Sequence, residues 1–198
     1  MNSMKKIILA SASPRRGDIL RQIGVSFEVE IPTLTREHSD EVIPEEIVKD
    51  LARQKAQSVS ENYVDRDDVL IIAADTIVVY NQKIFGKPAN EEQAYHMLKT
   101  LQGRVHQVYT GVTLLYQLTE GWRMDSFSVE TKVEMSQMND SEIWSYINTR
   151  EPMDKAGSYG IQGAGSLYIK RIDGEYNNVV GLPVAAIREH LVKLQLKL

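Results

Sequence analysis

A long apolar run near the middle of the chain constrains the fold more than any other feature. In VLIIAADTIVVY, residues 69–80, Asp75 and Thr76 interrupt a segment that is otherwise apolar and rich in β-branched residues. Such a segment is typical of a strand in the interior of a sheet. Burying an ionised carboxylate without partners is costly. We therefore expect Asp75 to lie where the strand reaches a cleft, beside cations, a metal ion or a substrate-bound water; the alternative is an Asp that accepts backbone N–H groups at a strand end.

The periodicity on both sides of this run alternates helices with strands. Strands are predicted at 5–10, 27–31, 69–79, 105–116, 122–135, 166–171 and 176–180. Helices are predicted at 14–24, from 44 onward, at 90–100, at 140–149 and from 183 onward. This order predicts an α/β fold with a mixed sheet flanked by helices. A chain of 198 residues without a long linker predicts one domain or two intimate lobes.

Composition excludes several classes of site and partner. The chain has no cysteine, which excludes disulfides, thiolate metal sites and cysteine nucleophiles. Its net charge of −4 argues against non-specific nucleic-acid binding, because that binding needs an extended basic surface. No segment approaches about 18 uninterrupted apolar residues, so we expect a cytoplasmic protein without a membrane partner. The four histidines are scattered without the spacing of a zinc site.

The segment SASPRR, residues 11–16, predicts an anion site at the start of a helix. Pro14 fits the first helical position and the Ser13 hydroxyl fits the N-cap. The N–H groups and dipole of a helix start favour negative charge, and Arg15 and Arg16 add charge-assisted donors. This combination suits a triphosphate. The alternative is a capped helix whose arginines face water.

Two lysines and one glutamine also stand in unusual places. Lys55 falls on the apolar stripe of the second helix, so its ammonium either extends to water or enters a cleft. Lys87 lies between Gly86 and Pro88 in a rigid turn, and the rest of a Walker motif is missing. Gln162, in the Gly-rich DKAGSYGIQGAG, has an amide that suits a uracil or thymine imide, or that stabilises its own loop.

Seven motifs together resemble the Maf family of nucleoside triphosphate pyrophosphatases. In family order, from about residue 5 to residue 190, they are SASPRR, LARQKA, AADTIV, GKP, GRVHQVYTG, DKAGSYGIQG and NVVGLP. The resemblance implies one Maf-like domain over residues 1–198, with an elongated mixed sheet and a central cleft between two lobes, as in inosine triphosphate pyrophosphatases. It also implies a homodimer.

The resemblance further implies hydrolysis of dTTP and UTP to the monophosphate and pyrophosphate with Mg²⁺ or Mn²⁺. Asp75 matches the catalytic acidic residue, which also holds metal. The metal's second acidic ligand is expected in the loop after the second strand, at Glu37, with Asp40 or Glu41 as alternatives. The implied phosphate-binding residues are Ser11, Arg15, Arg16, Lys55 and Lys87. The implied base-selecting residues are Arg15, Thr76 and Gln162, whose combination resembles the dTTP/UTP branch and not the 7-methyl-GTP branch.

The expected reaction is in-line attack on the α-phosphorus by a water that Asp75 or the metal activates, with pyrophosphate as the leaving group. Two other readings stay open. One is a nucleotide-binding regulator of cell division or septum formation, in which turnover is secondary. The other is a phosphate-binding structural protein without metal dependence. We expect the substrates to include modified pyrimidine triphosphates as well as dTTP and UTP.

Overall fold

The computed structural model describes residues 2–4, 6–33, 43–64, 66, 68–119 and 121–198. Its strands are β1 (Asn2–Ser3), β2 (Lys6–Ala10), β3 (Glu28–Glu30), β4 (Val69–Tyr80), β5 (Lys83–Phe85), β6 (Val105–Leu118), β7 (Gly121–Met135), β8 (Ile169–Asp173) and β9 (Leu196–Lys197). Its helices are α1 (Pro14–Gln22), α2 (Pro44–Ser60), α3 (Glu91–Leu101), α4 (Asp140–Asn148), α5 (Tyr176–Val180) and α6 (Val184–Lys193). In the part of the chain so described, no helix is both long and apolar enough to cross a membrane.

Within the described residues, seven strands form one mixed sheet. The order is β3-β2-β4-β6-β7-β8, and β5 pairs with β4 beside this path. Strand β2 is parallel to both β3 and β4, whereas β4–β5 and β7–β8 are antiparallel. A mixed sheet flanked by helices was predicted from the alternating pattern, and this fold class is confirmed. Strands β1 and β9 form a separate parallel pair.

The register of β2 against β4 brings two predicted site segments to one edge. Ala10, the last residue of β2, is paired with Ala73 of β4. The chain leaves β2 through Ser11 toward α1, while β4 continues to Asp75. Because neighbouring parallel strands end at the same edge of a sheet, the start of α1 lies beside the middle of β4.

Helix α2 packs closely against β6. A Cβ atom added to Gly111 of β6 would lie 2.2 Å from both the carbonyl carbon and the carbonyl oxygen of Val48. Only a residue without a side chain allows the helix backbone to come this near. Gly111 therefore sets the position of α2, the helix that carries Lys55.

The chain divides into two compact units. The first comprises residues 1–75, 110–129 and 181–198, and the second comprises 76–109 and 130–180. In the first unit, a core of β2, β4 and α2 side chains includes Ile8, Ile71 and Val59. In the second, a core includes residues from α3 and α4, among them Leu98 and Ile147. The expectation of a single domain stays a prediction.

Two local predictions are wrong. Residues Tyr176–Val180 form helix α5 and not a strand. Its Asn178 is buried, and its side-chain amide donates to the Val108 carbonyl at 3.2 Å and to the Thr131 hydroxyl at 2.9 Å, so tertiary contacts fix this segment. Ser13 occupies the N-cap of α1, but its hydroxyl makes no capping hydrogen bond. Instead, the Ser13 N–H donates to the Ser11 hydroxyl oxygen at 3.1 Å.

Candidate functional site

Asp75 forms a short ion pair with Lys55. The Lys55 Nζ atom lies 2.5 Å from Asp75 Oδ1 and also donates to the Ala74 carbonyl at 3.1 Å. The two side chains are 11% and 15% exposed, so the pair is largely but not wholly withdrawn from water. Asp75 was expected to have a partner such as a cation because it interrupts an apolar strand, and Lys55 is that cation. The Lys55 side chain crosses from the apolar face of α2 to the strand.

Arg16 is anchored by two oxygen atoms of the first unit. Its Nε donates to the Gly181 carbonyl at 2.7 Å, and its Nη1 donates to the Ser11 hydroxyl at 3.2 Å. Arg16 and Ser11 are both buried, with exposed fractions of 8% and 3%. A buried guanidinium needs such acceptors because its five N–H groups would otherwise lose their water. Ser11 therefore links the start of α1 to the arginine within it.

The charges at this edge of the sheet influence one another. Burial lowers the pKa of Arg16 from its ordinary value, nearby Asp75 opposes this shift, and Arg15 adds to it. Arg15 follows Pro14 in the first turn of α1 and is half-buried. The segment between Ser11 and Arg16 thus concentrates positive charge beside the Lys55–Asp75 pair. Such an arrangement can bind an anion with several negative oxygens.

The other predicted site residues differ in their setting. Thr76 follows Asp75 on β4 and is half-buried, although the division of the chain assigns it to the second unit. Lys87 and Gln162 also belong to the second unit, and both side chains are exposed. The expected metal ligand Glu37 and its alternatives Asp40 and Glu41 lie outside the described residues. The structure therefore brings together Ser11, Arg15, Arg16, Lys55 and Asp75.

A family model described as Maf-like protein matches residues 6–194. The chain belongs to the Maf-like proteins. A protein of Carboxydothermus hydrogenoformans named dTTP/UTP pyrophosphatase is 50% identical over 186 residues, which cover 94% of this chain and 97% of the relative.

Two further relatives carry the same name. One, from Agathobacter rectalis, is 46% identical over 202 residues, covering 96% of this Maf-like chain and 98% of the relative. The other, from Bacillus cereus strain G9842, is 43% identical over 188 residues, covering 95% of each chain. The similarity therefore extends over nearly the full length of both relatives.

A divalent metal ion, which the Maf resemblance implies, fits Asp75 in part. Mg²⁺ in nucleotide enzymes is commonly held by one or two carboxylates together with substrate phosphates and water. Asp75 provides one such carboxylate, with 15% of its side chain exposed. Among the residues that the structure describes, no group of three or more His, Asp or Glu side chains could hold a metal. Asp75 thus fits a metal that substrate phosphates also bind, and the residues that the structure describes do not by themselves complete a metal site.

Sequence reasoning missed the groups that support the predicted residues. The Gly181 carbonyl anchors Arg16, yet a main-chain oxygen has no signature in a sequence; only the need of a buried arginine for an acceptor points to it. Glu151, in the second unit, accepts backbone N–H groups from Ala164 and Gly165, close to Gln162 in the chain. Its sequence neighbourhood, REPMD, indicates only a surface turn.

Proposed function

We propose that this Maf-like protein hydrolyses dTTP and UTP to the nucleoside monophosphate and pyrophosphate. The observation that carries the proposal is the Asp75–Lys55 ion pair beside the anchored Arg16, in a chain whose relatives are named dTTP/UTP pyrophosphatases. A carboxylate near concentrated positive charge supplies a group that orients water next to groups that bind phosphate.

The triphosphate is proposed to bind at the start of α1. Arg15 and Arg16, the backbone N–H groups of the first turn and Lys55 provide charge-assisted donors there, and Ser11 adds a hydroxyl. Each such contact contributes about 1.5–3 kcal/mol when its partner is charged. Lys87 is proposed as a further phosphate ligand from the resemblance alone.

Asp75 is proposed to orient the attacking water and to accept its proton while the α-phosphorus–oxygen bond to pyrophosphate breaks. Lys55 pairs with the carboxylate and fixes the position of one of its oxygens. Asp75 would also hold a Mg²⁺ or Mn²⁺ ion together with substrate phosphates, and Glu37 is its proposed second acidic ligand. When bound, the metal neutralises negative charge on the leaving pyrophosphate.

Selectivity for thymine and uracil is proposed to depend on Arg15, Thr76 and Gln162. The Gln162 amide can donate to a base carbonyl and accept from the imide N–H, a pattern that cytosine does not offer. The single-domain arrangement, a homodimer and the absence of nucleic-acid and membrane partners stay predictions beside this proposal.

Product analysis tests the reaction. The purified protein, with Mg²⁺ or Mn²⁺, is given a panel of canonical and modified nucleoside triphosphates. The expected products from dTTP and UTP are the monophosphate and pyrophosphate in equal amounts. Release of orthophosphate instead would refute the proposed bond cleavage. A preference for purine triphosphates would refute the assignment of the base-selecting residues.

Asp75→Asn tests the catalytic role. The variant keeps the shape of the side chain but loses the charge, so turnover should fall by about 10²-fold or more. Glu134→Gln, a carboxylate paired with Lys170 in the second unit, is the matched control and should keep wild-type turnover. Wild-type turnover in a folded Asp75→Asn variant would contradict the assignment.

A further inference from the structure

A single carboxylate holds the Gly-rich segment that contains Gln162. Glu151 Oε1 accepts from the Gly165 N–H at 3.0 Å, and Glu151 Oε2 accepts from the Ala164 N–H at 2.8 Å. These N–H groups follow Gln162 by two and three positions. Glu151 thus binds the backbone immediately after the exposed glutamine.

Tyr146 extends this support to the other side of Gln162. Its hydroxyl donates to Glu151 Oε1 at 2.8 Å and accepts from the Gly160 N–H at 3.1 Å. Burial raises the pKa of Tyr146 strongly, so the hydroxyl keeps the proton that it donates. A continuous chain of hydrogen bonds therefore runs from Gly160 through Tyr146 to Glu151.

The carboxylate of Glu151 is ionised in this setting. Burial alone would raise its pKa, but the N–H groups of Gly165 and Ala164, the Tyr146 hydroxyl and the charge of Lys155 together hold it below its ordinary value. An ionised carboxylate accepts at both oxygens, which a neutral side chain of the same shape does not.

The glycines around Gln162 match this support closely. A Cβ atom at Gly163, where φ is +64°, would lie 2.5 Å from Glu151 Oε2. A Cβ atom at Gly165 would lie 2.3 Å from the Gly160 carbonyl oxygen and 2.4 Å from the Tyr146 hydroxyl oxygen. The backbone thus approaches both supporting side chains as nearly as glycine allows.

We propose that Glu151 is a positioning residue for base selectivity, acting through the backbone of residues 160–165 on the side chain of Gln162. The inference rests on the proposed function, since it takes Gln162 to contact the base. A fixed backbone confines the positions that an exposed amide can reach, whereas a mobile backbone lets the amide follow the edge of either base. Selectivity for the imide edge therefore depends on how firmly the backbone that carries the amide is held. Glu151 and Tyr146 supply that fixation without touching the substrate.

Glu151→Gln tests the inference by exchanging one acceptor oxygen for an NH₂ group. The measured quantity is the ratio of kcat/KM for dTTP to kcat/KM for dCTP, which differ in the edge of the base. This ratio should fall by about tenfold, chiefly through a higher KM for dTTP, while kcat for dTTP changes less. Tyr146→Phe, a milder change, should lower the ratio in the same direction, and it serves if Glu151→Gln does not fold.

A double-variant cycle separates positioning from general stabilisation. If Glu151 acts through Gln162, the Glu151→Gln/Gln162→Ala variant should have the same selectivity ratio as Gln162→Ala alone. Ratios that multiply would overturn the inference, as would a wild-type ratio in folded Glu151→Gln or in Gln162→Ala. Glu134→Gln is the matched control and should keep the wild-type ratio, although its ion pair with Lys170 is lost.

Failure of the inference about Glu151 can be told apart from failure of the proposed pyrophosphatase activity. If the wild-type protein does not release pyrophosphate from dTTP or UTP, the proposed function fails and the inference fails with it. If the wild-type protein does so and Gln162→Ala loses selectivity, but Glu151→Gln and Tyr146→Phe keep it, only the positioning role of Glu151 is overturned. If Gln162→Ala also keeps the wild-type selectivity, the base-selecting role of Gln162 is overturned with it.

Discussion

At the scale of single residues, Lys55 and Asp75 form the ion pair on which the candidate site depends most. Each charge is a partner for the other in a place where water has little access. Such a pair contributes modestly to stability as a whole, but the loss of one member leaves the other charge poorly solvated. A single substitution of Lys55 or Asp75 should therefore lower the free energy of unfolding more than substitution of both residues together.

Lys55→Met should lower the free energy of unfolding by about 2–3 kcal/mol, because it leaves the Asp75 carboxylate without its cation. Urea denaturation at neutral pH measures this change. The double variant Lys55→Met/Asp75→Asn should recover part of the loss, since neither charge is then buried. A single variant as stable as the wild type would contradict the energetic role given to the pair.

His106 makes stability depend on pH. Burial lowers its pKa to about 4 from an ordinary 6.5, and its Nε2 lies 2.6 Å from the Tyr159 hydroxyl. Between these values the unfolded chain binds more protons than the folded one, so stability falls as pH falls from about 6.5 to about 4. His106 should account for roughly 3 kcal/mol of this loss.

Denaturation of His106→Gln at several pH values checks this expectation, and the variant should lack that part of the pH dependence. Tyr159→Phe is the control: it removes the hydroxyl but keeps the burial, so its pH dependence should match that of the wild type. Equal pH dependence in His106→Gln and the wild type would contradict the assignment.

The candidate site was predictable from sequence where a residue was out of place. Asp75 interrupts an apolar strand and Lys55 interrupts an apolar helical stripe, and the two are in fact paired. Glu151 was not predictable, because its partners are backbone N–H groups 13 and 14 positions away. Such contacts depend on the path of the chain. They do not require a particular residue type at the donor position, so the sequence carries no signal for them.

Among the helices and strands, α2 has the position on which the site depends most. It carries Lys55, and its backbone at Val48 lies against Gly111 of β6. A shift of this helix by a fraction of an ångström would lengthen the 2.5 Å contact between Lys55 and Asp75.

Gly111→Ala should destabilise the protein by about 1–3 kcal/mol and lower turnover, because the added methyl group overlaps the main chain of Val48. Thermal unfolding and pyrophosphate release measure the two effects. Shortening the neighbouring side chain with Val48→Ala should not rescue the variant, since the overlap involves backbone atoms. Gly17→Ala is the control for stability: its Cβ would meet the flexible end of Arg21 at 3.2 Å and the Phe27 ring at an ordinary contact distance of 3.5 Å.

Most elements follow from local periodicity. Helices α1 and α2 begin at the prolines that predicted them, and β4 extends over the whole apolar run. Helix α5 was not predicted by local periodicity, because the valines of NNVV favour a strand. The helix forms because the buried Asn178 side chain donates hydrogen bonds to residues 70 and 47 positions away in the chain. Tertiary contacts override local preference in so short a segment.

For the whole molecule, net charge and local charge act in opposite directions on an anionic substrate. The chain has a net charge of −4, yet Arg15, Arg16 and Lys55 are concentrated at one edge of the sheet. Long-range repulsion is screened within roughly 10 Å at ordinary salt concentration, so the nearby cations should dominate binding.

The KM for dTTP should therefore rise several-fold when KCl is raised from about 20 mM to about 300 mM at fixed Mg²⁺. Steady-state kinetics measure it. Arg15→Gln should reduce the slope of this salt dependence. Glu189→Gln, an exposed change on α6 that alters the net charge from −4 to −3, should leave the slope unchanged. A KM that falls with added salt would show that overall repulsion governs binding.

The anchor of Arg16 is an atom of the main chain, because its Nε donates to the Gly181 carbonyl. Mutagenesis of residues 178–183 can alter packing around this oxygen but cannot delete it. Only a change in the polymer itself, such as an ester in place of the amide between residues 181 and 182, would weaken the acceptor. The guanidinium can thus keep its place while the side chains of that segment drift over evolutionary time.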